Sequence, residues 1–187
     1  DILKKIYSKI TKERRKPFQI ETYIMKDGDK RLVIKRALTK EAEAHIRNMS
    51  DYYEKNKKEG ILCPAEMISE DEVAFEFLTG KSLCNTMLDA LADKDEVRFL
   101  SLLRMYDEVI RRNVDIEKHI FIPEAQFVQV FGEVSFPDEM ECGKEMNIDM
   151  SFDNIMKDQT NSDYKIIDYE WVLPFPIPIK FVIYRAV

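Results

Sequence analysis

The sequence predicts an α+β fold in which strand-rich and helix-rich regions are separate. Two apolar stretches, residues 18–25 and 31–36, flank a polar turn at 26–29, and this is the pattern of an antiparallel hairpin because Gly28 can take a positive φ. Apolar residues then recur at helical spacing over residues 39–56 and 95–112. Strands come first and most helices later, without the regular alternation that predicts a parallel sheet.

The bulk composition limits the class of protein. The chain has 187 residues, of which 45% are hydrophobic and 34% charged, and this is enough apolar material for a core. A net charge of −6 argues against nucleic acid as the main partner. No run approaches the roughly 20 apolar residues of a membrane span. The three cysteines lack metal-ligand spacing, so we expect reduced thiols and a cytoplasmic location.

The N-terminal part reads as strands around one helix. Residues 1–16 are rich in lysine and arginine, and we expect them to form a solvated basic face. After the hairpin, Thr39 is a good helix N-cap for a helix that continues to about Asn56. Residues 65–68 and 73–78 then predict a second strand pair that turns at 69–72.

The C-terminal part is predicted to be mainly helical. Residues 82–91 and 95–112 form two helices, and the second carries an apolar stripe wide enough to be core, made of Val97, Leu100, Leu103 and Tyr106. A short helix at 123–131 precedes an insertion at 132–143 that we expect to be irregular. The chain starts at Asp1 without a methionine and stops inside an apparent helix at 179–186, so we expect it to be part of a longer polypeptide.

An ordered set of polar residues near the C-terminus predicts chemistry. Asn154 follows Asp149 by five residues, and Asp168 comes after a short apolar run. Phosphoryl transfer from a nucleotide needs one carboxylate to orient the acceptor hydroxyl and take its proton, and an amide with a second carboxylate to hold Mg²⁺. Asp149 fits the first role, and Asn154 with Asp168 fits the second. Glu170 is expected on the same strand face as Asp168, where it adds charge to the metal site or positions the acceptor. On local chemistry alone, Asp153 and Asn154 would also suit a plain turn.

This spacing resembles the catalytic and metal-binding loops of the protein-kinase-like superfamily. The closer likeness is to its small-molecule and glycan branch, such as aminoglycoside and lipopolysaccharide phosphotransferases, where the last motif reads Asp-aromatic-acid, as Asp168, Tyr169 and Glu170 do here. The chain is also similar to kinase-like segments attached to bacterial glycosyltransferases and methyltransferases of surface-polysaccharide synthesis. In those, Trp171 and the pair Tyr184 and Arg185 have counterparts. The resemblance covers residues 18–171.

The resemblance implies a two-lobed kinase-like fold that binds ATP and Mg²⁺. It places an N-lobe at residues 1–80, a C-lobe at 81–187 that is expected to be incomplete, and the nucleotide between the lobes. Lys35 would contact the phosphates and pair with Glu43, or with Glu41 as the alternative. The adenine would meet the hinge residues Glu76, Phe77 and Leu78, with Val33 above it, Met156 below it and Ile167 beside the metal-binding Asp168.

Three functions follow as expectations. The first is an ATP- and Mg²⁺-dependent phosphotransferase acting on a hydroxyl of a sugar, glycan or small molecule, with a glycosyltransferase domain on the same polypeptide as partner. The alternative is a non-catalytic, pseudokinase-like module that regulates or scaffolds that domain, because all five glycines are isolated and Asn147 and Ile148 replace the usual His and Arg. A weaker third is a nuclease-like acidic metal cluster, which the net charge disfavours. His45 and His119 fit no ligand pattern and are expected on a helix surface and in a loop.

Overall fold

The computed structural model describes residues 4–112, 114–136, 138–158 and 163–186, with the side chains of Asp27 and His119 outside that description. Its strands form antiparallel sheets and its helices form separate segments, as expected for a mixed α and β chain of the α+β kind. The chain divides into two compact units, 1–79 and 80–187. The interpretation of these units as kinase-like lobes stays a prediction.

The first unit is a five-stranded antiparallel sheet with one α-helix. The strand order is β1-β2-β3-β5-β4. The strands and the helix have these bounds: β1 Lys4–Ile10, β2 Ile20–Asp27, β3 Lys30–Ala37, α1 Glu43–Asn56, β4 Ala65–Met67 and β5 Glu72–Glu76. The helix joins β3 to β4 and packs against β3, β4 and β5. The predicted hairpin and second strand pair are confirmed, with bounds shifted by one or two residues.

Local sequence explains these elements. Gly28 adopts a φ of 57° in the turn between β2 and β3, as the hairpin pattern requires. The Thr39 side chain accepts a hydrogen bond from Ala42 N–H and caps a 3-10 turn that leads into α1. Ile46 and Met49 are fully buried on the inner side of the helix, which therefore gains its stability from packing.

The expected basic segment is solvent-exposed over most of its described residues, and part of it, Lys4–Ile10, forms a strand that the sequence did not predict. All seven residues of β1 are exposed, including Ile6, Tyr7 and Ile10, so the segment lacks the alternation of buried and exposed positions by which strands are recognised. It is held by its ladder to β2 and by a buried carboxylate. Glu21 accepts hydrogen bonds from Lys5 Nζ (2.6 Å) and Ser8 Oγ (2.7 Å) on β1, and it also pairs with Arg36 of β3.

The second unit holds the remaining helices and three small antiparallel sheets. Its helices are α2 Leu83–Ala92, α3 Glu96–Arg112, α4 Ala125–Phe131 and α5 Ile179–Ala186. Its strands are β6 Ile116–Ile120, β7 Glu139–Gly143, β8 Met146–Asn147, β9 Ile155–Lys157, β10 Tyr164–Ile166, β11 Val172–Leu173 and β12 Ile177–Pro178. The pairings are β12-β7-β6, β10-β9 and β11-β8. None of the described helices has the length and apolarity to cross a membrane.

Three predictions for this unit are corrected. The expected core stripe of α3 is wrong at its start, since Val97 is 81% exposed and the buried residues lie further along, including Tyr106 and Ile110. The segment expected to be an irregular insertion contains strand β7, and His119 lies in strand β6 rather than in a loop. All three cysteines are free thiols, as expected.

Candidate functional site

In the second unit, two short ladders bring the predicted base and metal residues together. The pair β8-β11 is extended by a hydrogen bond from Ile148 N–H to the Trp171 carbonyl (3.0 Å). The pair β9-β10 is extended by one from Ile167 N–H to the Asn154 carbonyl (2.9 Å). Residues 147–149 therefore lie against the segment that follows Asp168, and residue 154 lies against the segment that precedes it.

Asn147 joins these two segments directly. This side chain is only 1% exposed. Its Nδ2 donates to the Asp168 carbonyl (2.8 Å), and its Oδ1 accepts from Asp149 N–H (3.1 Å). One buried amide thus fixes the backbone of both predicted carboxylates. Sequence reasoning treated Asn147 only as a departure from the family pattern, although a polar residue just before an apolar-flanked acid was the available signal.

Asp149 and Asn154 are partners in the structure. Asn154 Nδ2 donates to the Asp149 carbonyl (2.8 Å). Burial raises the pKa of Asp149, and the negative charges of Asp168 and Glu170 raise it further. The positive charge of Arg185 and a hydrogen bond from Asn154 act in the opposite direction. Three carboxylates therefore lie close enough to influence one another, and Asp149 is a stronger base than an exposed aspartate.

Asp168 and Glu170 are placed differently from the expectation. Strand β10 ends at Ile166, so the two acids lie beyond it and do not share a strand face. Instead, Glu170 N–H donates to Asp168 Oδ1 (3.2 Å), which is the turn that an aspartate makes with the backbone two residues on. Glu170 is 8% exposed and therefore buried, whereas Asp168 is partly accessible.

The side-chain oxygens near Asn154 and Asp168 are of the kind that Mg²⁺ binds. Among the residues that the structure describes, no group of three or more His, Cys, Asp or Glu side chains could hold a metal ion by itself. Mg²⁺ in nucleotide sites needs fewer protein ligands, because one or two oxygen donors act together with substrate phosphates and water. The Asn154 amide donates through Nδ2, so its Oδ1, together with a carboxylate oxygen of Asp168, would be the oxygen donors from this chain to such an ion.

Two further residues support this region. Tyr106 of α3 donates from its hydroxyl to the Met150 carbonyl (2.8 Å), and its ring meets Phe152 edge to face. Arg185 of α5 donates from Nε to the Ile148 carbonyl (3.0 Å). Tyr106 was expected to be core alone, and the pair of Tyr184 and Arg185 was expected only in a further helix. Neither contact could be read from spacing, since 44 and 37 residues separate the partners.

The segment after β5 reaches Met156 through a close backbone contact. Ser82 forms a bridge with Met156, and Lys157 N–H donates to the Lys81 carbonyl (2.9 Å). A Cβ at Gly80 would lie 1.6 Å from the Lys157 carbonyl oxygen, so only glycine fits there. Ser82 then caps α2 by accepting from Asn85 N–H (3.2 Å).

In the first unit, Lys35 and Val33 lie on one face of strand β3. Their cross-strand neighbours on β5 are Val73 and Phe75, which are buried on the same face. Lys35 itself is 5% exposed, which is unusual for a lysine. Phe77 and Leu78 follow the end of β5, and the carbonyl of Glu76 accepts a hydrogen bond from the Cys63 thiol (3.3 Å).

The two candidate partners of Lys35 differ in position. Glu43 is partly buried at the start of α1 and pairs with Lys40 (2.7 Å). Glu41 is exposed in the preceding 3-10 turn, so Glu43 is the one nearer the buried side of the helix. His45, which was expected on the helix surface, is 7% exposed and contacts the Phe18 ring edge to face.

Comparison with known proteins adds nothing to these observations. No protein-family model matches the sequence, and no curated protein matches it either.

Proposed function

We propose that the chain is an ATP- and Mg²⁺-dependent phosphotransferase of the protein-kinase-like superfamily, acting on a hydroxyl of a sugar, glycan or other small molecule. The observation that carries this proposal is the convergence of Asp149, Asn154 and Asp168 on two interlocked ladders, with a raised pKa for Asp149. Each is the residue type that its assigned role requires.

Each residue has one task in this proposal. Asp149 orients the acceptor hydroxyl and takes its proton, and burial raises the pKa of its carboxyl, which favours that role. Asn154 and Asp168 hold Mg²⁺, which neutralises charge on the phosphates when bound. Asn147 and Arg185 touch no reacting atom and position the loop. Glu170 is buried beside Asp168 and is assigned to shaping the charge of the site.

The first unit supports the nucleotide assignment. Lys35 lies on the third strand of an antiparallel sheet, and a helix that carries Glu43 follows that strand. Protein kinases carry their phosphate-contacting lysine on the third strand and its glutamate partner on the next helix. The roles assigned to Val33, to the backbone of Glu76 to Leu78, and to Met156 and Ile167 around the adenine stay predictions.

The metal assignment is tested by calorimetry with ATP, with and without Mg²⁺. We expect the wild type to bind ATP more tightly with Mg²⁺, and Asp168→Ala to lose this Mg²⁺-dependent gain. Asp51→Ala, which removes an exposed carboxylate from α1, is the matched control and should bind as the wild type does. Full Mg²⁺-dependent affinity in Asp168→Ala would contradict the assignment.

The base assignment is tested by transfer. Asp149→Asn should keep Mg²⁺-ATP affinity but lower the rate of ADP release in the presence of a sugar acceptor by about 100-fold or more, because general-base catalysis is lost. A panel of free sugars and oligosaccharides in a coupled ADP assay provides the acceptor. An unchanged rate in Asp149→Asn would show that this residue is not the base.

One observation favours a second candidate, a non-catalytic kinase-like module that regulates a fused glycosyltransferase domain. The loop between β1 and β2, residues 11–19, contains no glycine and is fastened to its surroundings. Gln19 Nε2 donates to the Lys12 and Arg14 carbonyls, and the Thr39 hydroxyl donates to the Lys16 carbonyl. Absence of ATP binding by the wild type, with or without Mg²⁺, would favour this candidate.

A further inference from the structure

The edge strand β4 borders a cavity that the proposed phosphotransfer site does not use. The cavity has a volume of about 640 Å³ and belongs entirely to the first unit. Its walls come from β4, from the second half of α1 and from outward residues of β3 and β5. This volume is within the range of ligand-binding clefts.

Backbone groups of β4 face this cavity without partners. Ile68 N–H donates to the Glu72 carbonyl (3.0 Å), and Glu66 stands opposite Ala74 in the same ladder. Hydrogen-bonded pairs alternate along an antiparallel ladder, so Glu66 bonds to β5 while the peptide groups of Ala65 and Met67 point away from it. These peptide groups of Ala65 and Met67 have no hydrogen-bond partner in the described part of the chain.

The burial of Ala65 makes this arrangement informative. Ala65 is 4% exposed, and peptide groups that are both buried and unpaired are rare in folded proteins. A strand laid along β4 would supply the missing acceptors and donors. Both Ala65 and Met67 also line the cavity.

The charge of the lining is of one sign. Its charged residues are Glu54, Glu66 and Glu76, and no lysine, arginine or histidine is among the lining residues. Glu54 pairs with Lys57 (2.6 Å). Glu66 and Glu76 are exposed, and neither side chain pairs with a cation of the described residues. The cavity therefore attracts cations and disfavours anions.

The ladder register also predicts which side chains a partner should carry. Glu66 and Glu76 lie on one face of the sheet with Leu32, which is 44% exposed. Ala65 and Met67 point to the opposite face. A residue paired with Glu66 should therefore be lysine or arginine. Its two neighbours, opposite Ala65 and Met67, should be apolar.

We propose that β4 is the docking site for an extended segment of a partner protein in which basic and apolar residues alternate. The segment adds to the sheet as a sixth strand, the backbone of Ala65 and Met67 provides the pairing, and Glu66 with Glu76 selects basic side chains. This site is separate from the phosphotransfer proposal and stands if that proposal fails.

The probe is a fluorescein-labelled peptide, Lys-Val-Lys-Val-Lys-Val, followed by fluorescence anisotropy with the whole chain. We expect binding, an affinity about ten-fold lower for the double variant Glu66→Gln and Glu76→Gln, and wild-type affinity for the control Glu108→Gln and Glu133→Gln. The same peptide with alternate amides N-methylated should bind more weakly, because it cannot form the ladder. The amides of Ala65 and Met67 should become protected from hydrogen exchange when the unmodified peptide is added.

Three results would overturn the proposal. One is equal binding of Glu-Val-Glu-Val-Glu-Val, which would show that charge selects nothing. Another is unchanged affinity after both the Gln substitutions and N-methylation. The third is a concentration-dependent mass of the chain alone in sedimentation, abolished by the two Gln substitutions, which would show that a second copy occupies the strand edge.

Discussion

Asn147 is an uncharged side chain that connects two segments of the candidate site through hydrogen bonds. Its amide, which is 1% exposed, donates to one motif segment and accepts from the other. Because the side chain is neutral, it joins the loops of Asp149 and Asp168 without adding charge next to three carboxylates. A charged residue here would either pair with an acid or repel it, and the position of the base would change.

Asn147→Ala is expected to destabilise the second unit by about 1–3 kcal/mol, because it removes the part-buried hydrogen bonds that Asn147 makes to the Asp168 carbonyl and to Asp149 N–H. Urea unfolding followed by the fluorescence of Trp171, the one tryptophan of the chain, measures this loss. Asn48→Ala on the exposed side of α1 is the control and should unfold like the wild type. Wild-type stability of Asn147→Ala would refute the role given to this amide.

At the scale of elements, sequence patterns predicted the strands and the helix that bury side chains, and they missed strand β1, which buries none. Strands β2 and β3 carry buried apolar residues such as Ile20 and Ile34 on either side of a glycine turn, and helix α1 repeats around Ile46, so all three were predictable. Strand β1 has no buried side chain, and its stability comes from Glu21 on the neighbouring strand. This interaction joins residues that are distant in sequence, so a short stretch of sequence cannot predict it.

Glu21 should make the first unit sensitive to acid. Hydrogen bonds from Lys5 and Ser8 lower its pKa from 4.5 to about 2, and the charge of Arg36 adds to this. A carboxylate whose folded-state pKa is lowered contributes stability above its unfolded-state pKa, and that contribution is lost as the pH falls toward 2. Lys5 and Arg36 are partly exposed, so the contribution is about 2 kcal/mol.

Glu21→Gln tests this argument through urea unfolding, followed by the hydrogen exchange of β2 amides. The variant should be less stable than the wild type by about 2 kcal/mol near pH 7, and the difference should shrink at about pH 3. Glu13→Gln, an exposed carboxylate in the adjoining loop, should change little at either pH. A difference that does not depend on pH would mean that Glu21 acts through shape and not through charge.

At the scale of the whole molecule, the proposed functions divide between the two compact units. The first unit holds the buried lysine and the proposed docking edge, and the second holds the proposed base, the proposed metal ligands and Trp171. The proximity of Asp149, Asn154 and Asp168 was predictable, because few residues separate them along the chain and two short ladders pair their segments. The contributions of Tyr106 and Arg185 were not, because helices distant in sequence bring them in.

Gly80→Ala tests whether the units unfold separately. Its methyl group would overlap the Lys157 carbonyl, so we expect a loss of about 2–4 kcal/mol in the transition that Trp171 reports. Gly132→Ala, with a φ of +82° and open space around the new Cβ, is the control and should cost about 1 kcal/mol. Amide exchange in β2 and β3 should be unaffected by either change. Equal loss in both units would contradict their independence.

The bond between Arg185 and the Ile148 carbonyl has a practical consequence for anyone who trims this protein. A fragment ended at Lys180 would keep every predicted catalytic residue and still lose the guanidinium that supports the residue next to Asp149. Failure of such a fragment in a transfer assay would reflect the missing final turns of a helix. A negative transfer assay is therefore informative only for a chain that includes α5.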